Sequence, residues 1–128
     1  MGEEKTKKEK SSIFTNIIAV DFDGTIVENQ FPNIGKELPG AFDALNEIHK
    51  KFYLILWTCR IGDALQKAIE FCKERGLVFD AINENVDFLP FQTSQKVWAY
   101  HYIDDRSGFK DWEDELRKVN ELKIERFR

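Results

Sequence analysis

The sequence predicts an α/β domain built on a mainly parallel sheet, and three observations carry that reading. Two apolar runs without polar interruption, Ile17-Ile18-Ala19-Val20 and Phe52-Tyr53-Leu54-Ile55-Leu56-Trp57, have the composition of strands buried on both faces, the habit of parallel sheets. Between and after them, apolar residues recur at helical spacing. Strand and helix patterns alternate along the chain, which implies right-handed crossovers within one sheet.

Taken in order, residues 1–12 (MGEEKTKKEKSS) are charged, lack apolar periodicity and read as a disordered tail, leaving 13–128 as a single domain. The first strand ends on Asp21 and is broken by Gly24. Residues 27–38, with Pro32 and Gly35, read as loop. Pro39-Gly40 opens a helix with Ala41, Leu45 and Ile48 on one face, and residues 52–57 form the second strand. After Gly62, Leu65, Ala68, Ile69 and Cys72 fall on one face of a helix closed by Gly76. Val78 to Ile82 reads as a third strand and 83–95 as mostly irregular. Val97 to Ile103 leads into a fourth strand ending at Asp104-Asp105. Residues 109–127 read as a helix with Trp112, Leu116 and Val119 on its buried side.

Composition narrows the function classes. The 128 residues fit one domain, and 19 Lys+Arg against 23 Asp+Glu give a net charge of −4, which argues against general nucleic-acid binding. The longest apolar run, Phe52 to Trp57, is far short of the roughly 20 residues that span a bilayer, so no membrane role is expected. No apolar stretch follows the N-terminus as in a secretory signal. Gly2 and Thr6 match a loose myristoylation pattern, but Glu3 and Glu4 oppose an anionic membrane. Cys59 and Cys72 form no metal-type pair, and His49 and His101 are too few for a zinc cluster; reduced thiols in a cytoplasmic protein are expected. Both histidines read as structural.

In parallel α/β sheets, ligands bind beyond the carboxyl ends of the strands. Asp21, Thr58 and Asp104-Asp105 each follow a strand, and Asp23 lies two residues past the first. Carboxylates crowded together repel unless a cation joins them, and an oxygen-only ligand set suits Mg²⁺. Lys96, upstream of the fourth strand, offers a fixed positive charge. A divalent cation and a lysine prepare a phosphate dianion for an anionic nucleophile, and carboxylate attack gives an aspartyl-phosphate.

The same residues carry a resemblance. Asp21-Phe22-Asp23-Gly24-Thr25 resembles the first motif of the haloacid dehalogenase (HAD) superfamily phosphohydrolases. Leu56-Trp57-Thr58-Cys59-Arg60 resembles the second, Lys96 stands where the third-motif lysine is expected, and Tyr102-Ile103-Asp104-Asp105-Arg106 resembles the fourth. The motifs occur in the family's order over roughly residues 13–110.

The resemblance implies a Rossmann-like three-layer sandwich with Asp21 as nucleophile and Asp23 as general acid/base. Mg²⁺ would be held by the Asp21 carboxylate, the Asp23 main-chain carbonyl and the fourth-motif acids, with Asp105 the direct ligand and Asp104 supporting. Thr58 and Lys96, helped by backbone N–H groups near Gly24, would hold the phosphoryl oxygens. The acid at position 23 marks phosphoryl transfer rather than dehalogenation. Arg60 either lines the phosphate site or pairs with an acid beside it, and Arg106 is expected in a structural ion pair. The intervals 28–51 and 61–95 leave no room for a cap domain, and the family's usual fifth strand is not expected here. Capless relatives take large substrates or borrow a neighbouring subunit as a lid, so a homo-oligomer is compatible. The loop Phe31-Pro32-Asn33-Ile34-Gly35 lies where relatives carry a substrate-contacting flap.

The expectation is therefore a Mg²⁺-dependent phosphatase acting on a phosphate monoester, either a small phosphorylated metabolite or a phosphorylated polymer end. A receiver-like signalling domain fits less well, because its acid pair would follow the first strand and its phospho-acceptor the third. A phosphate-binding adaptor that has lost the reaction is a further alternative, although both candidate catalytic acids are present. Cysteine-phosphatase chemistry needs Arg six residues after Cys, and Leu65 and Val78 stand there. Gly35-Lys36 lacks the earlier glycine of a Walker loop, since Gln30 occupies that position.

Overall fold

The computed structural model describes residues 16–122; the expected tail over 1–12, the Gly2–Thr6 pattern and the end of the C-terminal helix pattern lie outside the described residues. The chain forms β1 (Ile17–Val20), α1 (Ala41–His49), β2 (Tyr53–Leu56), α2 (Gly62–Glu74), β3 (Ala81–Ile82), β4 (His101–Ile103) and α3 (Trp112–Asn120). The sheet order is β3-β2-β1-β4, and every neighbouring pair is parallel. This is the α/β fold expected from the alternation, consistent with the Rossmann-like sandwich that the resemblance implies, and no cap domain stands among the described residues.

Side chains of a strand alternate between faces, and here both faces are covered. Ile18, Val20, Leu54 and Leu56 pack with Phe42, Leu45 and Ile48 of α1, Ala68 and Cys72 of α2, and Trp112 and Val119 of α3. Ile17, Ala19, Tyr53 and Ile55 pack instead with Val86, Val97 and Ala99. All three helices therefore lie on one side, and the third layer is the irregular segment 83–100. Burial on both sides explains why the β1 and β2 runs lack polar alternation, and each such Ile or Leu contributes about 1.5–3 kcal/mol by leaving water.

The later strands are shorter than the apolar patterns suggest. Val78 is 61% exposed, and pairing begins only at Ala81. Before β4, the Trp98 N–H donates to Asn85 Oδ1 (2.6 Å) and the Tyr102 hydroxyl to the Val97 carbonyl (2.7 Å), which turns residues 97–100 out of strand geometry. Leu116 is only partly buried, whereas Trp112 and Val119 are fully so.

Val20 is opposite Leu56 on one side and Ile103 on the other. Strands aligned in this way release Asp21, Trp57 and Asp104 at one level of the sheet. The order reverses at β1, where the chain passes to β4 on its other side, and that reversal is where open α/β sheets form ligand crevices.

Candidate functional site

The backbone after β1 is fixed before any side chain is considered. The Asp21 N–H donates to the Ile103 carbonyl (2.9 Å), carrying the β1–β4 ladder to the first acid. Phe22 is fully buried, and its carbonyl accepts from the N–H groups of Thr25, Ile26 and Val27, curling the chain into a tight turn. Within this turn the Gly24 N–H donates to the Val27 carbonyl (2.7 Å). It is thus engaged within the turn, so among the backbone N–H groups near Gly24 expected at the phosphoryl oxygens this one is already bonded. What position 24 requires is space. Gly24 has φ +86°, and a Cβ there would stand 2.5 Å from Asp105 Oδ2.

Thr25 ties the turn to the rest of the site, a role that the sequence reading did not assign. Its buried hydroxyl accepts from the Asp105 N–H (2.9 Å) and lies 3.4 Å from Asp21 Oδ2 as a donor. Its carbonyl accepts from the Trp112 indole N–H (2.7 Å), docking α3 onto the same turn. The available signal was its place directly after Gly24 in the first motif.

Three acids converge. Asp21, Asp104 and Asp105 each present a carboxylate oxygen, and these atoms lie within 4.8 Å of one another. Burial, followed by the neighbouring Asp104 charge, pushes the Asp21 carboxyl up to about 7, against the opposing hydrogen bond of the Phe22 backbone. Asp105 is also raised, first by burial and then by Asp104. Asp104 accepts the Arg106 N–H on Oδ1 (2.8 Å), which folds the chain back after β4.

Asp23 stands apart from this cluster. Arg60 Nε donates to its Oδ2 (2.8 Å) and Nη2 to its Oδ1 (2.7 Å), a bidentate pair. The remaining Arg60 donors reach the carbonyls of Pro32 (3.1 Å), Asn33 (2.9 Å) and Ala64 (3.1 Å). All five N–H donors of the guanidinium are engaged, and the residue is 1% exposed. Of the two roles open to Arg60 from the sequence, the structure forms the pair with an acid; no donor is left for phosphate. The guanidinium also lies over the Phe22 and Phe31 rings, at 5.0 and 5.2 Å from their centroids.

Thr58 follows β2 on the loop that carries Arg60. Its N–H donates to Asn83 Oδ1 (2.8 Å), and its hydroxyl oxygen accepts from the Arg60 N–H (3.2 Å). The Thr58 hydroxyl proton is thereby left to point elsewhere. Asn83, just past β3, adopts φ +55° and is a second positioning residue, in a segment whose composition indicates only loop. Asparagine's tolerance of that conformation was the signal.

A cavity of about 600 Å³ opens over these groups. Asp21, Asp23, Thr58, Arg60, Asp104 and Asp105 line it, and the exposed residues Asn29, Phe31, Cys59 and Arg106 complete its mouth. Lys96 does not line it. That side chain is exposed, with its ammonium 5.3 Å from the Tyr102 ring centroid, because the turned segment before β4 carries it over that ring. Arg106 makes no ion pair among the described residues and lies on the cavity, not in the structural pair expected of it. His49 pairs with Asp80 (3.1 Å) and His101 with the buried Glu115 (2.6 Å), both away from the cavity. Among the described residues no helix is long and apolar enough to cross a membrane.

No protein-family model matches the chain, and no curated protein does. Among solved structures, the chain is similar to a conserved protein coded by a locus from Bacteroides thetaiotaomicron. The two share 43% sequence identity and a TM-score of 0.77 over 84% of this chain and 92% of that one.

Proposed function

We propose, for a chain that belongs to the same family as the conserved Bacteroides thetaiotaomicron protein, a magnesium-dependent phosphomonoesterase of the haloacid dehalogenase type. The observation that carries the reading is the gathering of Asp21, Asp104 and Asp105 within 4.8 Å at the point where the sheet order reverses, with Thr58 and Asp23 on the same cavity.

The donor set fits Mg²⁺. Carboxylate oxygens alone converge, and the mutual charge that helps raise Asp21 and Asp105 is what a hard divalent cation relieves. Asp21, Asp104 and Asp105 would hold it by their carboxylates, and Asp23 by its main-chain carbonyl. When bound, the ion neutralises phosphate charge so that an anionic nucleophile can approach.

The chain's own groups supply the chemistry. Asp21 is the nucleophile: its carboxylate attacks phosphorus, the ester oxygen leaves, and an aspartyl-phosphate forms. Asp23 in its protonated form gives its proton to the departing oxygen, and the carboxylate so formed, held in place by Arg60, takes a proton from the water that hydrolyses the intermediate. The Thr58 hydroxyl, accepting from Arg60, donates its proton to a phosphoryl oxygen. Lys96 serves the phosphoryl group only if the segment before β4 brings its ammonium inward. Asn83, not an acid, follows β3, so a receiver-like phospho-acceptor has no residue there. The free thiols Cys59 and Cys72 suit a reducing, cytoplasmic setting.

The test is hydrolysis of a panel of phosphate monoesters by the purified protein, in Mg²⁺ and in chelator. Metal-dependent release of inorganic phosphate is expected. No turnover of any panel member, together with no binding of Mg²⁺, would overturn the reading.

A further inference from the structure

The chain has eleven phenylalanines, and those at the core are sealed: Phe22 and Phe52 are 0% exposed and Phe42 is 6%. Phe31 differs. It is 57% exposed, yet it lies on the cavity that holds the acids. Singly exposed apolar side chains are common, and Phe91 is 43% exposed as well; what sets Phe31 apart is its place on the cavity.

Its surroundings are fixed. The Arg60 guanidinium lies 5.2 Å from the ring centroid, and all five donors of that guanidinium are bound. One of these bonds goes to the carbonyl of Pro32, the next residue, while the Phe31 N–H itself donates to Asn29 Oδ1 (3.3 Å). No second ring packs on Phe31 among the described residues. The ring is thus supported by a rigid cation and still more than half exposed. The cavity, at about 600 Å³, is in the range that holds a drug-sized ligand and much larger than a phosphate group needs.

We infer that Phe31 is a stacking platform for the leaving group, so that the cavity takes phosphate monoesters whose alcohol carries a flat aromatic or heteroaromatic ring. The inference rests on the phosphatase reading for the position of the phosphoryl group, but the platform itself is a binding feature. A ring stacked on Phe31 gains area on a surface already ordered, so little conformational entropy is lost. A flexible alkyl chain gains less from the same face. Two sources share this chemistry, nucleoside monophosphates and simple aryl phosphates, and the test separates them.

The experiment compares kcat/KM for a nucleoside monophosphate, phenyl phosphate and propyl phosphate, in Mg²⁺, for the wild type and for Phe31→Ala, Phe31→Leu and Phe31→Tyr. Stacking on an aromatic side chain is worth roughly 5- to 150-fold by alanine substitution, so the ratio of ring to alkyl substrate falls by that order in Phe31→Ala. Phe31→Leu keeps apolar bulk without a π face and also lowers the ratio; Phe31→Tyr retains it. A ratio lost for phenyl phosphate alone assigns the aryl source, and one lost for the nucleotide assigns the other. An equal fall for all three substrates, or no change, overturns the platform.

Calorimetric binding of the same three phosphates to Asp21→Asn, with and without Phe31→Ala, separates the two readings. Ring-selective binding that depends on Phe31, in a protein whose wild type turns nothing over, keeps the platform and discards the phosphatase. Turnover that ignores the ring keeps the phosphatase and discards the platform.

Discussion

Asp21 and Asp23 sit two residues apart on one turn, and both line the same cavity, yet their carboxylates meet opposite surroundings. Both oxygens of Asp23 accept from Arg60, whose remaining donors are held by three backbone carbonyls. Asp21 faces Asp104 and Asp105 within 4.8 Å, and burial with like charge lifts its carboxyl to about 7. One wall is complete in itself. The other is arranged so that ionising it fully is unfavourable until a cation arrives. The contrast teaches that residue type at a strand end does not set the role; the partner does. A paired acid is held in place, and an unpaired cluster is left open to a cation.

The largest expected effect falls on the unpaired wall. Asp21→Asn keeps the shape of the side chain and removes the proposed nucleophile, so turnover should drop by roughly 10⁴-fold or more, as for other residues that carry a covalent step. Circular dichroism should be unchanged, and the melting temperature in chelator should rise above wild type at neutral pH because a crowded charge is gone. Wild-type turnover in this variant would sink the assignment. On the paired wall the order is reversed, and stability suffers first. Arg60→Ala leaves Asp23 without its partner, and breaking a buried pair in this way costs about 3–5 kcal/mol by urea unfolding. The double variant Asp23→Ala/Arg60→Ala should cost less than the two single changes summed. Strict additivity would mean that the pair is not the unit described.

Metal and pH distinguish the two walls more gently. The Asp21 carboxyl titrates at about 7 when folded, against an ordinary value of 3.8. Between those limits the folded chain holds a proton that the unfolded chain has released. In chelator, stability should therefore fall as pH rises from about 4 to 7 and then level off. Asp21→Asn should flatten that slope. Magnesium at a hundredfold excess over its Kd should add about 2.7 kcal/mol above pH 7, and progressively less toward pH 4 as protons compete. Thermal melts at pH 5 and 8, with magnesium and with chelator, check both signs. An equal magnesium effect at the two pH values would place the ion elsewhere.

Much of the frame was legible because it depends on local pattern. Ile17–Val20 and Tyr53–Leu56 are covered on both faces, so hydrophobicity alone marks them, and α2 declares itself by the spacing of Leu65, Ala68, Ile69 and Cys72. The convergence of Asp21, Asp104 and Asp105 follows from parallel strands that end in register. What was not legible depends on loops folding back over distance. Arg60 meets Pro32 and Asn33 only because the segment 28–36 is pinched at its base by the Glu28 N–H and the Lys36 carbonyl (2.7 Å). Lys96 belongs to a stretch without regular hydrogen bonding, where position along the chain says little about where an ammonium ends up. Thr25 and Asn83 are single polar residues whose partners lie far along the chain, and no periodicity announces them.

Asn83 gives the smallest of these effects and the cleanest dissection. It braces the paired wall from behind, accepting the Thr58 N–H at 2.8 Å while its own N–H continues the ladder to the Leu56 carbonyl, also at 2.8 Å. Its φ of +55° is one that glycine adopts freely and alanine does not. Asn83→Gly keeps the backbone conformation and loses only the side-chain acceptor, which should cost about 1 kcal/mol. Asn83→Ala loses the acceptor and adds left-handed strain, so about 1–2 kcal/mol more is expected. Because Thr58 and Arg60 share that loop, both variants should also lower kcat/KM, in the same order as they lower stability. If Asn83→Gly unfolds at the wild-type urea concentration and keeps full kcat/KM, the Thr58 loop holds its position without the bond, and the completeness of the paired wall rests on Arg60 alone.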